Sequence, residues 1–166
     1  SDHNTSEQYY FHKNEENPKP KIIKKREKGI IYSVNSWGDN FYNHTNKEAE
    51  DFKIDICDDI KVQNWKPYIS AKDEVLIGGL TFLNNWIIRS EISNALGKIY
   101  VKNLESKIEK EIKFTDEKVI DPGISLKQRD RNTDLIRLNY SSPKTQTRVY
   151  SFNLRTEEKK LIKEQE

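Results

Sequence analysis

The sequence lacks several features that mark common classes of protein. It contains a single cysteine, Cys57, and no methionine. One cysteine excludes an internal disulfide and is typical of a reducing compartment. No apolar run approaches the roughly 20 residues that a membrane-spanning helix needs. The polar start SDHNTSEQ has neither a secretory hydrophobic region nor an initiating methionine, which predicts a processed chain or a truncated fragment.

The chain also lacks an excess of charge of either sign. It has 29 Lys and Arg against 27 Asp and Glu, for a formal net charge of +2. This balance argues against a dedicated nucleic-acid binder, which usually has a clearly basic face. Apolar residues make up only 34% of the 166 residues, so the core of the expected single domain is thin.

Catalytic signatures are equally scarce. None of the six glycines brackets a serine in the Gly-x-Ser-x-Gly pattern of a nucleophile elbow. The histidines are His3, His12 and His44, and no catalytic residue is predicted among them. Cys57 lies in an alternating strand pattern, which favours a small buried apolar residue over a nucleophile.

Metal and cofactor sites are not expected either. No Cys or His pair has zinc spacing, and no glycine-rich phosphate loop is present. Asp55, Asp58 and Asp59 lack the glycine and the final glutamate of a calcium loop, so they are interpreted as a charged strand exit and turn. We therefore predict no cofactor, no metal and no membrane or nucleic-acid partner.

A repeated hairpin dominates what is present. Three stretches begin at Phe41, Asn85 and Asp134, and each contains two runs with the period-2 alternation of half-buried strands. Their second strands recur at a period of roughly 45 to 50 residues. Within each hairpin, an equal interval of 13 residues separates one apolar pair: Phe41 and Ile54, Trp86 and Ile99, Ile136 and Val149.

Further candidate strands flank each hairpin and complete four-stranded units. Those before the hairpins span 29–34, 75–82 and 124–127, and those after them span 66–69, 108–114 and 159–162, with 21–23 as an earlier outer strand. The predicted turns are Gly38-Asp39-Asn40, Asn84-Asn85, Asn94 to Gly97 and Asp121-Pro122-Gly123. This period is typical of propeller blades.

The predicted fold is all-β, a partial β-propeller of about three four-stranded antiparallel blades plus half of a preceding blade. The expected limits are 1–28 for the outer strands of the incomplete blade, then blades at 29–70, 71–118 and 119–166. A ring needs about 4 to 8 blades, so this chain is not expected to close one alone. An antiparallel sandwich or barrel with coincidental spacing is the alternative.

Two surface features have structural and functional interpretations. The run KPKIIKKREK, Lys19 to Lys28, could attract nucleic acid or an acidic membrane. Its position in the repeat favours an outer strand instead, where lysine and proline discourage edge pairing. Trp37, Trp65 and Trp86 are interpreted as packing between blades and not as binding platforms.

Several segments resemble the prolyl oligopeptidase family, and its oligopeptidase B (protease II) branch in particular. The string FYNHTNKEAEDFKIDI is similar to the family's Tyr-x-x-Thr-Asn-x-x-Ala-x-Asn-Phe-x-Leu hairpin, with Asp51 in place of the usual Asn. The segment GLTFLNNWIIRSE resembles Gly-Phe-Thr-x-Phe-x-x-Trp-Leu, and IRLNYSS resembles Arg-x-x-Tyr-Ser-Ser. The ending EEKKLIKEQE is similar to the last propeller strand before the catalytic domain.

The chain also departs from the family pattern at two hairpins. The sequence Glu91-Ile92-Ser93-Asn94-Ala95-Leu96 stands where the family often has Glu-Arg-x-x-Gly-Leu. Pro143 follows the Tyr-Ser-Ser strand directly, and Gln146 stands where the family usually has proline. The hairpin loop that contains Pro143 and Gln146 is therefore expected to be reshaped.

The resemblance implies a function for the whole protein. Family members are cytoplasmic serine peptidases whose seven-bladed propeller covers an α/β-hydrolase domain and admits short peptides, and the oligopeptidase B branch cuts after Arg or Lys. This chain resembles only the later part of that propeller. We expect a non-catalytic, cytoplasmic segment that restricts access of short peptides to a hydrolase domain.

The resemblance also implies partners. They are the hydrolase domain or the remaining blades, on the same or a separate chain, and self-association through open blade faces is possible. The alternatives are a stand-alone interaction module and an inactive truncated gene product.

Overall fold

The computed structural model describes residues 8–10, 21–24, 29–114 and 118–164. All regular elements in these ranges are β-strands. The chain divides into two compact units, Ser1–Asp73 and Glu74–Glu166. The expectation of an all-β chain built from four-stranded antiparallel sheets is confirmed.

The first unit contains a strand pair and one sheet. Strand β1 (Gln8–Tyr10) pairs with β2 (Lys21–Lys24) in antiparallel orientation. The sheet, named the first sheet, has the order β3-β4-β5-β6. Its strands are β3 (Tyr32–Trp37), β4 (Asn40–Thr45), β5 (Lys53–Cys57) and β6 (Lys66–Ile69).

The second unit contains two groups of four strands. The second sheet comprises β7 (Leu76–Leu83), β8 (Trp86–Ser93), β9 (Leu96–Asn103) and β10 (Glu109–Glu111). The third sheet comprises β11 (Ile120–Ser125), β12 (Leu135–Ser142), β13 (Thr145–Asn153) and β14 (Lys159–Glu164). Among the described residues, Ile120 lies opposite Leu96 and bridges the two groups. The predicted blade limits at 70/71 and 118/119 fall between strands and stay predictions.

The core of the second unit lies between the second and third sheets. Alternate residues of each strand point to one face, so every second apolar side chain can join one core. The cluster combines residues of both sheets and buries thirteen side chains: Leu83, Trp86, Ile88, Ile99, Val101, Ile112, Val119, Ile136, Leu138, Tyr140, Tyr150, Phe152 and Leu154. Face-to-face burial of two sheets is therefore what holds this unit together.

The connection into the first sheet is held by two side chains of the hairpin. Asn46 accepts a hydrogen bond from the backbone N–H of Ile31 at 2.7 Å and donates one to the carbonyl of Gly29 at 3.2 Å. The Thr45 hydroxyl donates to the carbonyl of Ile31 at 2.8 Å. The adjacent Thr-Asn pair thus satisfies backbone groups of the segment that enters β3.

The prediction of a turn at Asp121-Pro122-Gly123 is wrong. These residues lie inside β11, at a register shift between Ile120 and Gly123. Proline cannot donate to the ladder, and a bulge is one of the few positions within a sheet that accept it. The turn chemistry at this site therefore marks a bulged strand.

The same bulge places Pro122 against a glycine of the second sheet. A Cβ on Gly97 would lie 2.3 Å from Pro122 Cγ. The Gly97 N–H donates to the Val119 carbonyl at 2.7 Å. Gly97, predicted to lie in a turn, is therefore part of β9, and the turn is confined to Asn94 and Ala95, which both have positive φ.

Other strand limits differ from expectation by a few residues. Strand β3 begins at Tyr32, later than the predicted residue 29, and β10 occupies only Glu109–Glu111 of the predicted 108–114. Strand β11 ends at Ser125, whereas the pattern predicted a strand at 124–127. Ladder hydrogen bonds define these limits, and alternation of side chains alone does not show where pairing stops.

Candidate functional site

A turn that recurs in all three sheets defines how their residues correspond. In the second sheet, the Asn103 side-chain oxygen accepts from the N–H groups of Glu105 at 2.9 Å and Ser106 at 3.3 Å. The Asn103 carbonyl accepts from the Lys107 N–H at 2.8 Å, and Lys107 has positive φ. Such side-chain to backbone bonds mimic a backbone turn, which explains a polar Asx residue here.

The third and first sheets repeat this turn. Asn153 accepts in the same way from Arg155 and Thr156, and its carbonyl accepts from Glu157 at 2.7 Å. In the first sheet, Asp59 takes this position, accepting from the Lys61 N–H at 3.0 Å. The sequence interpretation of Asp59 as part of a charged turn is confirmed, but its recurrence as Asn103 and Asn153 was missed.

Strand register then shows which residues of the second and third sheets are equivalent. Trp86 lies opposite Asn103, and Leu135 lies opposite Asn153. The counterpart of Trp86 is therefore Leu135. The equal intervals in the sequence had aligned Trp86 with Ile136, one residue away. The correction matters because a shift of one residue moves a side chain to the other face of a sheet.

The corrected correspondence identifies the face of the third sheet that is equivalent to the core-facing side of the second sheet. Its residues do not belong to the core cluster. On the second sheet, Trp86, Ile88 and Val101 face the third sheet and are buried against it. The equivalent positions on the third sheet are Leu135, Arg137 and Ser151, since Arg137 lies opposite Ser151 as Ile88 lies opposite Val101. We name this side of the third sheet the outward face: Leu135, Arg137, Val149, Ser151 and Ile162.

A cavity of about 470 Å³ lies on the outward face, next to the connection between β11 and β12. In the first and second sheets the corresponding connections are the short turns Gly38-Asp39 and Asn84-Asn85. In the third sheet the connection is the longer segment 126–134. The cavity is lined by Leu126, Lys127, Gln128, Asp130, Asn132, Thr133, Leu135, Ile136, Arg137, Ser151 and Ile162.

The longer connection is tied to the second sheet. Arg131 donates from Nη1 to the Phe82 carbonyl at 2.6 Å, and the Asn84 N–H donates to the Arg131 carbonyl at 2.8 Å. The wall of the cavity is thus anchored by hydrogen bonds across the two sheets. A site of this size with a fixed wall is suited to holding a ligand or a segment of polypeptide.

The outward face carries an incompletely satisfied charged group. Arg137 occupies the position of the buried Ile88, and its Nε is buried without a hydrogen-bond partner among the described residues. Lys127 and Asp130 also line the cavity. Buried guanidinium N–H groups need acceptors, so the face is suited to a group that supplies one.

The junction between the second and third sheets is polar at one end. Trp86 donates from Nε1 to Asp134 Oδ1 at 2.8 Å, and Arg155 donates from Nε to Asp134 Oδ2 at 3.1 Å. The hydrogen bond from Trp86, followed by the hydrogen bond and charge of Arg155, lowers the pKa of Asp134 below its ordinary value. The prediction that Trp86 packs between blades is confirmed for these two sheets.

The second sheet also holds a buried ion cluster on the face opposite to the core. Arg89 Nη1 donates to Glu91, and Nη2 pairs with Glu109 Oε1 at 3.0 Å. The guanidinium lies 4.3 Å from the ring centroid of Tyr100. The side chains of Arg89 and Glu91 are only 8% and 6% exposed. Sequence reasoning missed this cluster, since its charged residues come from strands with ordinary alternation.

The remaining sequence candidates have structural surroundings where they are described. His44 stacks on Phe52, with ring centroids 4.6 Å apart. Cys57 is buried with Ile60 against Val34, Phe41 and Trp65, as predicted for a small apolar residue. Trp65 therefore packs against apolar side chains of the first sheet and the turn that follows β5.

The other candidates are only partly placed. Asp55 lies in β5, and Asp58 accepts from Asn64 at 2.8 Å. Trp37 is half-buried at the end of β3. Of the basic run Lys19–Lys28, only β2 (Lys21–Lys24) lies within the described residues, where it pairs with β1. His3 and His12 lie outside them.

The residues that the structure describes contain no group of three or more Cys, His, Asp or Glu side chains arranged to hold a metal ion. No helix long and apolar enough to cross a membrane occurs in the described part of the chain.

Comparison with known proteins gives consistent matches. The family model of the prolyl oligopeptidase N-terminal β-propeller domain matches residues 1–165. Dipeptidyl aminopeptidase BI of Pseudoxanthomonas mexicana is 26% identical over 147 residues, which cover 87% of this chain and 20% of that protein. The chain thus spans about a fifth of the length of this curated relative.

Solved structures show the same fold. Oligopeptidase B from Trypanosoma brucei matches with a TM-score of 0.79 and 23% identity, over 98% of this chain and 24% of that one. Oligopeptidase B from Leishmania major matches with a TM-score of 0.73 and 17% identity, over the same shares. Prolyl oligopeptidase B from Galerina marginata, without ligand, matches with a TM-score of 0.77 and 12% identity, over 99% and 24%.

The repeated four-stranded sheets are therefore blades of a partial β-propeller, as predicted. The alternative of a sandwich or barrel with coincidental spacing is not supported. The family match spans nearly the whole chain, and the structural matches extend over it as well. This chain belongs to the prolyl oligopeptidase family and corresponds to part of its N-terminal β-propeller domain.

Proposed function

We propose that this chain is a non-catalytic propeller segment that limits which substrates reach a serine peptidase domain. That domain would lie elsewhere in the same protein or on a partner chain. The observation that carries the proposal is the propeller-family match over residues 1–165, on a chain that spans only about a quarter of the solved relatives. The role is steric, since a narrow passage through a propeller admits extended peptides and excludes folded domains.

The same reasoning extends to the substrate. The motifs FYNHTN, GLTFLNNW and IRLNYSS resemble the oligopeptidase B branch, and two of the solved relatives are named oligopeptidase B. We infer cleavage of short peptides after Arg or Lys by the assembled enzyme. We also infer a cytoplasmic location, in keeping with the single cysteine.

The test compares a hydrolase domain of the same organism with and without this segment. Substrates are a short fluorogenic peptide containing arginine and a folded protein with exposed lysines. With the segment present, we expect cleavage of the peptide and protection of the folded protein. Equal size selection without the segment would contradict the gating role.

The chain alone provides a second control. It is expected to leave the fluorogenic peptide intact, since no Gly-x-Ser-x-Gly elbow occurs in its sequence. Cleavage by the chain alone that a serine-directed inhibitor blocks would contradict a non-catalytic role.

A stand-alone interaction module is the second candidate. The observation that favours it is the outward face with its cavity of about 470 Å³, which offers a binding surface independent of any hydrolase domain. The two candidates differ in the gene beyond the codon for Glu166. A nucleophile elbow followed by Asp and His there would support the peptidase, whereas a stand-alone interaction module has no such domain either there or on a partner chain.

A further inference from the structure

We propose that Phe114, Tyr140 and Tyr150 form a binding site for a primary alkylammonium group, and that Lys159 fills this site as an internal ligand. The three rings belong to the core between the second and third sheets, and we name them the ammonium cage. The inference is independent of the peptidase role, because it depends only on contacts that the second unit makes within itself.

Two rings of the ammonium cage lie close enough to the ammonium of Lys159 for cation–π attraction. Its Nζ lies 4.6 Å from the ring centroid of Tyr150 and 5.1 Å from that of Phe114. A cation is attracted to an aromatic ring when it lies within about 6 Å of the centroid. Tyr150 and Phe114 therefore supply the attraction for a positive charge.

The third ring, Tyr140, contributes a hydrogen-bond acceptor. Lys159 Nζ donates to the Tyr140 hydroxyl at 2.6 Å and lies 5.4 Å from the centroid of that ring. The ammonium thus lies beyond the hydroxyl and contacts the oxygen. An acceptor at this point needs an N–H group on the ligand, which a primary ammonium has and a quaternary ammonium lacks. The ammonium cage is therefore selective for a primary ammonium.

Packing holds the three rings in place independently of the lysine. Tyr140 and Tyr150 are buried, and their rings stack with centroids 5.0 Å apart. The Phe114 centroid lies 5.4 Å from that of Tyr140 and 6.3 Å from that of Phe152. Because the rings contact one another and the core, removal of the lysine side chain should leave a preformed cavity that relaxes only in part.

Lys159 reaches the ammonium cage from the outer strand β14. It lies opposite Phe152 of β13, which belongs to the core, so the two side chains share one face of the third sheet. The lysine side chain is half-buried there. A charged group on a core face needs partners, and the ammonium cage supplies them. Filling the cage therefore holds β14 against the core.

The repeat places a second cation at the equivalent position of the second sheet. Tyr100 and Tyr150 both lie three residues before the asparagine of the recurring turn, so they correspond. The guanidinium of Arg89 lies 4.3 Å from the centroid of the Tyr100 ring. Arg89 belongs to β8, whereas Lys159 belongs to the outer strand β14. Cations from different strands thus meet equivalent rings, which indicates that the ring environment, and not one particular lysine, defines the cation site.

The experiment empties the ammonium cage and returns the missing atoms as a free ligand. Lys159→Ala in the full 166-residue chain removes a group that n-propylammonium replaces. The measurement is hydrogen exchange of the β14 amides, with sodium chloride as the reference salt. We expect exchange to be about tenfold faster in Lys159→Ala and to slow again as n-propylammonium chloride is added. The unmodified chain should not respond, because its cage is filled.

Two further ligands separate charge from hydrogen bonding. n-Propanol has the length of n-propylammonium without the charge, and it should give Lys159→Ala no protection. Tetramethylammonium has the charge without an N–H group, and it should protect less than n-propylammonium. That preference should disappear in Lys159→Ala/Tyr140→Phe, which lacks the acceptor. Protection by n-propanol equal to that by n-propylammonium, or a preference that persists without the hydroxyl, would overturn the proposal.

Conservative substitutions keep the test decisive if Lys159→Ala folds poorly. Lys159→Arg keeps a cation and Lys159→Met keeps much of the length without one, so the β14 amides should be protected in the first and exposed in the second. The reverse order would overturn the proposal. Lys160→Ala is the matched control, since Lys160 is exposed and points away from the cage. It should exchange normally, and a response to n-propylammonium equal to that of Lys159→Ala, or no response in Lys159→Ala, would also overturn the proposal.

Discussion

Trp86 and Asp134 join the second and third sheets by a hydrogen bond from the indole Nε1 to Oδ1 at 2.8 Å. Trp86 begins β8, and Asp134 immediately precedes β12. The Asp134 carbonyl also accepts from the Leu154 N–H at 2.8 Å, so one residue holds the ends of two strands. The buried indole supplies apolar contact, and its N–H specifies how the two sheets align.

The contact between Trp86 and Asp134 predicts a pH dependence. The folded pKa of Asp134 is lowered from its ordinary value of 3.8, chiefly by the Trp86 hydrogen bond. The carboxylate therefore contributes stability that is present above the unfolded pKa and is lost as the pH falls through the lower folded pKa. We expect Asp134→Asn to cost about 1 kcal/mol at pH 7, a value kept small because the side chain is 34% exposed.

The measurement is urea unfolding at pH 7 and at a pH below the folded pKa of Asp134. The difference between the variant and the unmodified chain should shrink at the acidic pH, since the carboxylate is then protonated in both states. Asp73→Asn, at an exposed turn, is the control and should change little at either pH. An equal loss at both pH values would mean that the charge of Asp134 contributes nothing.

Gly97 and Pro122 predict a pair of compensating substitutions. Gly97→Ala places a Cβ 2.3 Å from Pro122 Cγ and 2.5 Å from Cδ, and a proline ring cannot turn away. We expect a loss of about 1 to 3 kcal/mol in urea unfolding. Pro122→Ala removes both atoms, so the double variant should recover most of that loss. A double variant as unstable as the sum of the two single variants would contradict the close contact.

The Arg89 cluster predicts that single substitutions are worse than a double one. Arg89→Leu leaves the buried Glu91 carboxylate without its guanidinium, and Glu91→Leu has the converse effect. Each should cost about 3 to 5 kcal/mol. The Arg89→Leu/Glu91→Leu variant should lose less than either single variant, because no uncompensated charge remains between them. A double-mutant cycle in urea measures this, and simple additivity would show that the pair is not coupled.

Asn46 predicts a modest loss in the first sheet. Asn46→Ala removes the acceptor of the Ile31 N–H and the donor to the Gly29 carbonyl, at a cost of about 1 kcal/mol, since both groups can turn to water. Hydrogen exchange at Ile31 should accelerate. Asn46→Asp keeps the acceptor, so it should protect Ile31 nearly as well as Asn46 does. Equal exchange in Asn46→Ala and the unmodified chain would exclude the contact.

The elements of this fold follow from local patterns, with limits that local patterns leave open. Alternation around Ile54, Ile99 and Val149 predicted three strands that the structure contains. The dipeptide Asn84-Asn85 predicted a turn that is present, whereas Asp121-Pro122-Gly123 predicted one that is absent. Proline and glycine are favoured in turns and are also accepted at strand bulges, so their presence alone does not distinguish a bulge from a chain reversal.

Local patterns of this kind did not predict the candidate site. Arg137 stood out in the sequence only as part of a family-like strand, and nothing local showed that it takes the place of Ile88. That equivalence depends on Leu135 lying opposite Asn153, and an error of one residue assigns every side chain to the wrong face. The anchor from Arg131 to the Phe82 carbonyl joins residues far apart in the chain, which no spacing rule detects.

The order of the residues alone determined that this chain forms repeated four-stranded antiparallel sheets, because a period of two along a strand and a longer period between hairpins are both local properties. Tertiary structure decided which faces are covered, which arginines are paired and where Pro122 meets Gly97. Those outcomes depend on the register between strands and on contacts between sheets, and both are set by the packing of the whole unit.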